Sequence, residues 1–559
     1  MTTLLRNAIT ALVATDPERI VGGEVTLDSL AVPYGSASLE LPLTPETTLD
    51  DLDPRDDARI EIDAADTIGG TTRSFNLGIR SRTVDYTNRT VSIEAATDEA
   101  LLEDYASLTT DTGARAHEGS VRAVVNYVLA RIGAVLEAGT PNPPVTAFWN
   151  VTNFLTNPDV AGGVVTPWTS GGNCTLFYST SGADGTLSSC GVQSSAAGLL
   201  AVVPHTPGQG PSVTPGTSYV FTGMARQNEA GTSRTFYPVI RWLNQSGAPV
   251  AADVEAPPMA MSNTVWQRKT LIATAPPGAS RAEVFFRSGG GTAAGQFMYI
   301  DRAMFYEGSE LIPFYDGETP DSSTYVYAWT GATNASTSTR TAVVERPPEL
   351  FVWKPGTTAW DFLAPFLAST GLRLYCDEHR DWRLIDPATY EIPGFIRLSG
   401  LNATAASDTI SRDDPDVFAT GVVIRYVWED ADGIPRTAYD VAGDPDVVVV
   451  FDYARAFPGP GAAAAILARR DGTGRTQSVD TLVDWTLTPG MTASIVLPDT
   501  PEQQGKVTSL RFSLGDDALM SVGTRGLIDI PAGSWLAWTP PDQAWNAVAD
   551  SVTWISLPA

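Results

Sequence analysis

Period-two alternation is the feature that most restricts what this chain can fold into. In Ser36-Ala-Ser-Leu-Glu-Leu-Pro42 the apolar positions Ala37, Leu39 and Leu41 alternate with Ser36, Ser38 and Glu40. Ala58-Arg-Ile-Glu-Ile-Asp63 repeats the pattern, and Phe75, Leu77 and Ile79 extend it. A residue spacing of two puts one set of side chains on each face of a strand, one buried and one wet, as in a small barrel or sandwich. A turn at Thr87-Asn88 separates Val84 and Tyr86 from Val91 and Ile93, so these strands are read as antiparallel. The 49 Gly and 40 Pro fall between such runs and act as turn punctuation over the whole chain.

Helical spacing is brief. Ser120 is a candidate N-cap for a helix whose apolar stripe is Val121, Val124, Val128, Ile132 and Val135, stopped by Gly139 and Pro141. Thr358 caps a second helix carrying Trp360, Leu363 and Leu367, with a kink expected at Pro365 and an end at Gly371. A hairpin follows, Leu372-Arg-Leu-Tyr-Cys376 and Trp382-Arg-Leu-Ile-Asp386 around a turn at 377–381.

Between residues 146 and 340 the composition shifts to Ser, Thr, Gly and aromatics, with strand-like runs at 218–224, 238–243, 267–273 and 282–287. A run of short strands of that length has the size of a jelly-roll sandwich. The Ser/Thr-rich stretch 330–341 reads as a linker out of it. The expected fold is therefore mainly β: two small β-barrel domains with short helices, interrupted by an inserted β-sandwich. The expected division is 1–115 first barrel, 116–145 helix and connector, 146–340 inserted sandwich, 341–394 helix-hairpin, 395–530 second barrel and 531–559 an extended C-terminal tail with Trp535, Trp538, Trp545 and Trp554.

Charge excludes some partners. A formal charge of −28 repels phosphate backbones and anionic lipid headgroups, so neither bound nucleic acid nor membrane anchoring is expected. No signal peptide or long apolar span appears, so the chain is expected to be made as a soluble cytosolic protein. Cys174 and Cys190 could pair or remain free thiols, and with Cys376 they fit no zinc-ribbon spacing.

The residues that carry catalysis elsewhere are sparse. His117, His205 and His379 form no metal-binding pair and are read as isolated surface or turn residues. There is no GxSxG elbow and no phosphate-cradling glycine loop, so the chain is not expected to be an enzyme. The acidic clusters at 50–57 and 412–416 lie among turn residues and lack calcium-loop spacing. No cofactor is expected, although calcium held by separate segments of the sandwich remains open. Aromatics of the middle region are the candidate site. Trp168, Tyr178, Trp242 and Trp266 could stack sugar rings, against the alternative that each is core.

Several segments resemble a known family. Thr358-Ala-Trp-Asp-Phe-Leu363, Gly371-Leu-Arg-Leu-Tyr-Cys-Asp377 and Asp381-Trp-Arg-Leu-Ile-Asp386 resemble a helix-hairpin recurrent in minor tail proteins (baseplate hubs) of actinobacterial siphophages. So do Trp485-Thr-Leu-Thr-Pro-Gly-Met-Thr-Ala-Ser-Ile-Val-Leu-Pro498 and Gly505-Lys-Val-Thr-Ser-Leu-Arg-Phe-Ser-Leu514. Thr152-Asn-Phe-Leu-Thr-Asn-Pro-Asp159 and Phe314-Tyr-Asp-Gly-Glu-Thr-Pro-Asp321 resemble the entry to and exit from a carbohydrate-binding-like insertion of these proteins. The resemblance implies a virion structural protein at the tail tip. It implies a homotrimer in which two barrels per chain make a pseudo-sixfold ring, adapting the tail tube to the tip. The implied neighbours are the distal tail protein ring, the tape measure protein and other minor tail proteins, with DNA passing through unbound. Two alternatives stand beside it: a receptor-binding adhesin whose sandwich grips host cell-wall glycan, and a tail-associated cell-wall hydrolase.

Overall fold

A computed structural model describes residues 7–13, 16–45, 49–66, 70–205, 210–228, 234–289, 293–387, 389–390, 392–412, 418–430, 433–470, 475–515 and 519–530. The tail expected at 531–559 and residues 413–416 of the second acidic cluster lie outside them. The fold is mainly β, and the described chain divides into two compact units. The first comprises 1–146, 348–428 and 437–559, and the second 147–347 with 429–436.

The first unit is organised by one 13-stranded sheet. Alternation does what the sequence implies: Gly35–Pro42 points Ala37, Leu39 and Leu41 into the core and leaves Ser36, Ser38 and Glu40 in water. The strand path runs from Asp16–Arg19 through Asn7–Val13, Arg59–Asp66, Thr72–Asp85, Thr90–Ala96 and Gly35–Pro42 to Gly22–Asp28. It then crosses to the far end of the sequence. Gly22–Asp28 pairs antiparallel with Glu502–Ser513, Val25 opposite Phe512 and Leu27 opposite Leu510. Beyond lie Leu519–Ile530, Arg475–Leu482 and Ala403–Ile410, while Thr492–Val496 and Phe395–Ser399 branch off Glu502–Ser513.

The two β regions expected as barrels thus meet in one sheet, and no pairing among the described residues joins its two ends. They also share one apolar core. Trp485 stacks on Phe512 at 4.9 Å between ring centroids, and Phe75 meets both from the N-terminal strands, at 6.3 and 6.1 Å. Arg73 lies over the Phe75 ring at 5.4 Å and pairs with Glu378 of the 377–381 turn, both side chains 7% exposed. A buried pair of this kind fixes geometry more than it adds stability, because desolvation offsets much of the attraction.

The first helix, Val121–Leu129, is shorter than its apolar stripe suggested. Ser120 Oγ accepts from the Ala123 amide at 3.1 Å as expected. The helix tightens into a 3-10 turn at Ala130–Ile132 and ends at Gly133, whose φ of 72° is left-handed. Val135 is consequently 77% exposed rather than part of the stripe. Ala359–Thr370 is capped by Thr358 and closed by Gly371, and it carries Pro365 within its span. Arg373–Cys376 and Trp382–Ile385 form the expected hairpin.

The second unit is a two-sheet sandwich. One sheet orders Cys174–Ser179, Ser189–Ser194, Phe297–Glu307, Ser218–Gln227 and Gln267–Thr274. The other orders Val254–Glu255, Thr235–Leu243, Arg281–Gly289, Leu200–Val203 and Thr169–Gly172, with Met259–Ala260 on Thr235–Leu243. Aromatic rings fill the space between them. Phe286 stacks on Phe221 at 4.5 Å and on Phe236 at 5.0 Å. The stretch read as a linker is instead structured: Ser338–Ala342 pairs with Tyr325–Trp329 and with Val151–Asn153. Its serines and threonines find cross-strand partners there, as in Thr330 Oγ1 to Thr337 Oγ1 at 2.8 Å, so polarity did not mean disorder.

Candidate functional site

Of the four aromatics proposed from sequence, the sandwich buries two outright. Trp242 is 1% exposed and packs on Tyr219 at 5.9 Å. Trp168 is 3% exposed, stacks on Phe286, and donates its indole N–H to the Asn157 carbonyl at 2.9 Å. Neither can stack a sugar. Tyr178 fails for a different reason: it lies opposite Cys190, which is fully buried, so its ring faces the core, and its hydroxyl donates to the Leu187 carbonyl at 2.6 Å. Trp266 alone stands on an outer face.

That face belongs to the five-stranded sheet. Strand register makes its side chains a grid. Arg226 is opposite Tyr299, Tyr299 opposite Gly191, and Gly191 opposite Phe177. Trp266 comes one residue before Gln267, the partner of Ala225, and so lies beside Arg226. One row across the sheet therefore reads Trp266, Arg226, Tyr299, Gly191, Phe177. The Arg226 guanidinium carbon is 5.5 Å from both the Trp266 and the Tyr299 ring centroids. Gly191 leaves room for Phe177, whose ring would come within 2.4 Å of a Cβ at that position. Phe297, one step along its strand, meets Phe177 edge-to-face at 5.6 Å. Phe177, Phe297, Tyr299, Trp266 and Arg226 are all half-buried, neither core nor fully wet.

Another part of this face is covered. Val220, Met304 and Tyr306 point outward into a small second core with Val151, Ile312 and Tyr315. Between the covered and open parts sits Asp301, fully buried, which accepts from the amides of Ala183 and Arg302, each at 2.7 Å. It pins the 183–186 turn to the sheet at a bulge where Arg302 adopts φ 52°. Burial pushes the Asp301 carboxyl up to about 7 against those two hydrogen bonds, and it pushes neighbouring Asp159 up to about 6.

Elsewhere the sequence-based candidates resolve as structural. His205 is buried rather than superficial, its Nε2 accepting from the Val284 amide at 3.2 Å. His117 packs on the Tyr127 ring at 5.1 Å, and His379 is exposed in the 377–381 turn. All three cysteines are free and buried, and burial raises each thiol. In the first acidic cluster Asp53 caps a 3-10 turn through the Arg55 amide. Among the described residues no group of three or more His, Cys, Asp or Glu is arranged to hold a metal, so the calcium expectation finds no donor set there. In the first unit an open pocket of about 580 Å³ is lined by residues 105–113, Arg131 and Trp353. Its one carboxylate, Asp111, is already engaged by the Gly113 amide, Tyr127 and Arg131.

Sequence reading missed Phe177, Phe297, Tyr299 and Arg226. Alternation held the signal: in Phe297-Met-Tyr-Ile300 the aromatics share one face while Met298 and Ile300 go inward. Both faces are apolar, so alternation alone did not say which one was wet.

No family model matches the chain, and no curated protein matches it. Among solved structures, the tail protein of Neisseria meningitidis MC58 is similar over 93% of this chain and 96% of its own, at 9% identity and TM-score 0.38. Tailspike protein 4 of bacteriophage CBA120 (its enzymatically active domain) is 18% identical at TM-score 0.23; the match takes in 28% of this chain and only 21% of that one. The C-terminal family 22 carbohydrate-binding module of Clostridium thermocellum Xyn10B is 19% identical at TM-score 0.23, over 28% of this chain and 98% of that module.

Proposed function

We propose that this chain is a structural protein of a bacteriophage tail, a hub at the tail tip, with a sandwich that presents a sugar-binding face. The observation that carries the reading is the sheet built from both ends of the chain, with Gly22–Asp28 paired to Glu502–Ser513 and the sandwich inserted between them. A framework closed in this way tolerates a large insertion, since the added unit has its own core. The segments resembling minor tail proteins, 358–386, 485–498 and 505–514, all belong to that framework.

As a hub the chain assembles as a homotrimer, contacting the distal tail protein ring, the tape measure protein and other tip proteins. Ring closure needs complementary surfaces and no catalysis, so the chain is not an enzyme in this reading. A trimer triples a formal charge of −28, which favours free passage of DNA over its retention. Quantitative mass measurement on purified tails, with antibody labelling, tests the hub role: three copies at the tip are expected, and six copies or labelling along the tube overturn it.

The adhesin reading coexists with the hub, because the Trp266–Phe177 row is an open aromatic surface on an otherwise self-contained sandwich. Rings at the interface of water and core offer flat faces to the C–H side of pyranoses. Trp266→Ala or Tyr299→Ala should abolish tail attachment to host cell walls; unchanged attachment by both variants would refute the adhesin role.

A further inference from the structure

We propose that the open sheet face binds a linear polysaccharide carrying acidic groups, with Arg226 as the anion contact; this rests on the sugar-binding reading above. Three observations select that ligand.

The first is extent. The row from Phe177 to Trp266 crosses all five strands. Neighbouring strands lie about 4.8 Å apart, so the row spans about 19 Å, which several consecutive sugar rings fill and a single ring does not. The second is aromatic spacing. Aromatic side chains occupy both ends and the centre of the row, and Gly191 leaves the space that the Phe177 ring fills. A chain laid across the strands meets ring faces at intervals along its length.

The third is charge. The chain carries 64 acidic and 36 basic residues, so the molecule as a whole repels anions and binding one needs a local cation. The Arg302 charge is neutralised by Asp184. Arg226 meets no carboxylate within ion-pair distance among the described residues; its one hydrogen bond is to Ser181 Oγ at 2.6 Å. Arg268, one row along the same face opposite Met224, is likewise without an acid and donates to the Ile312 carbonyl at 3.2 Å. A guanidinium set between two ring faces keeps in-plane N–H donors for a carboxylate or phosphate. Two cations on this face, Arg226 between its rings and Arg268 one row along, in so acidic a molecule, form a local attraction for anions that the rest of the surface opposes.

The test is binding of the full chain to four immobilised polymers: a polyuronate, a phosphate-bearing polysaccharide, neutral xylan and polyglutamate. One or both acidic polysaccharides should bind, at least tenfold more tightly than xylan, with affinity falling as salt rises. The two acidic arms distinguish carboxylate from phosphate. Arg226→Gln should cut that affinity about tenfold and reduce its salt dependence, while Trp266→Ala should weaken it without changing the salt slope. Equal binding of xylan, unaffected by Arg226→Gln, overturns the acidic ligand and leaves sugar binding standing. Binding of polyglutamate as tight as that of the polysaccharides, insensitive to Trp266→Ala, reduces the face to a charge patch and overturns the proposal. Failure to bind any polymer overturns both this proposal and the sugar-binding reading.

Discussion

Replacing single tryptophans of the sandwich separates core from surface. Trp242 is 1% exposed and its indole sits against Tyr219 within the inter-sheet core. Truncating it to Ala removes a whole buried aromatic and leaves a cavity that rigid sheets collapse into poorly, at a cost of about 3–5 kcal/mol. Trp168→Ala belongs in the same class and also orphans the Asn157 carbonyl, whose partner is the indole N–H. Among the described residues Trp266 makes two ring contacts, to Tyr299 at 6.5 Å and to the Arg226 guanidinium at 5.5 Å. Its loss forfeits a partly solvated cation–π contact and limited area, about 1–2 kcal/mol together. For a unit of this size each kcal/mol moves the midpoint by about 2–4 °C. Scanning calorimetry of the full chain should therefore show the sandwich transition falling by roughly 6–20 °C for Trp242→Ala and by roughly 2–8 °C for Trp266→Ala. Equal drops for the two variants would refute the assignment of Trp266 to an open face.

Stability of the sandwich should depend on pH through Asp301 and Asp159. Both carboxyls are raised in the fold, to about 7 and about 6, so the folded state holds their protons more tightly than the unfolded chain does. The resulting stabilisation is complete below about pH 4 and is lost as pH rises through 6 and 7, on the order of 3–4 kcal/mol for each carboxyl. A sandwich midpoint higher at pH 8 than at pH 5 would contradict this. Ser120→Ala and Thr358→Ala each remove a cap hydrogen bond and should each lower the first unit's stability by about 1 kcal/mol in denaturant titration; no change in either would mean that the caps are idle. Gly191→Ala should push the Phe177 ring aside and weaken polysaccharide binding while leaving the melting midpoint nearly in place; unaltered binding would show that Phe177 lies outside the ligand's path.

Strands were legible because burial on one face writes itself into sequence at period two, as in Gly35–Pro42 and Arg59–Asp66. Caps were legible because Ser120 and Thr358 act on amides three residues away. Long-range pairing was not. Nothing local in Val25 or Phe512 says that they face each other, so two β regions were expected where one sheet forms. Helix length was misread because Ile132 and Val135 continue a helical spacing that Gly133 interrupts. The candidate site was the least legible part. Tryptophan is equally at home in a core and on a sugar platform, and only the neighbours across the strands separate Trp242 from Trp266. Arg226 gave no signal at all, since its meaning comes from Trp266 and Tyr299 on adjoining strands.

The proposed trimeric role at a phage tail tip can be read from cryo-electron microscopy of intact virions. Threefold density is expected at the distal end of the tube, into which the shared sheet of the first unit fits three times. Sixfold density along the tube, or the absence of the chain from purified virions, would contradict it.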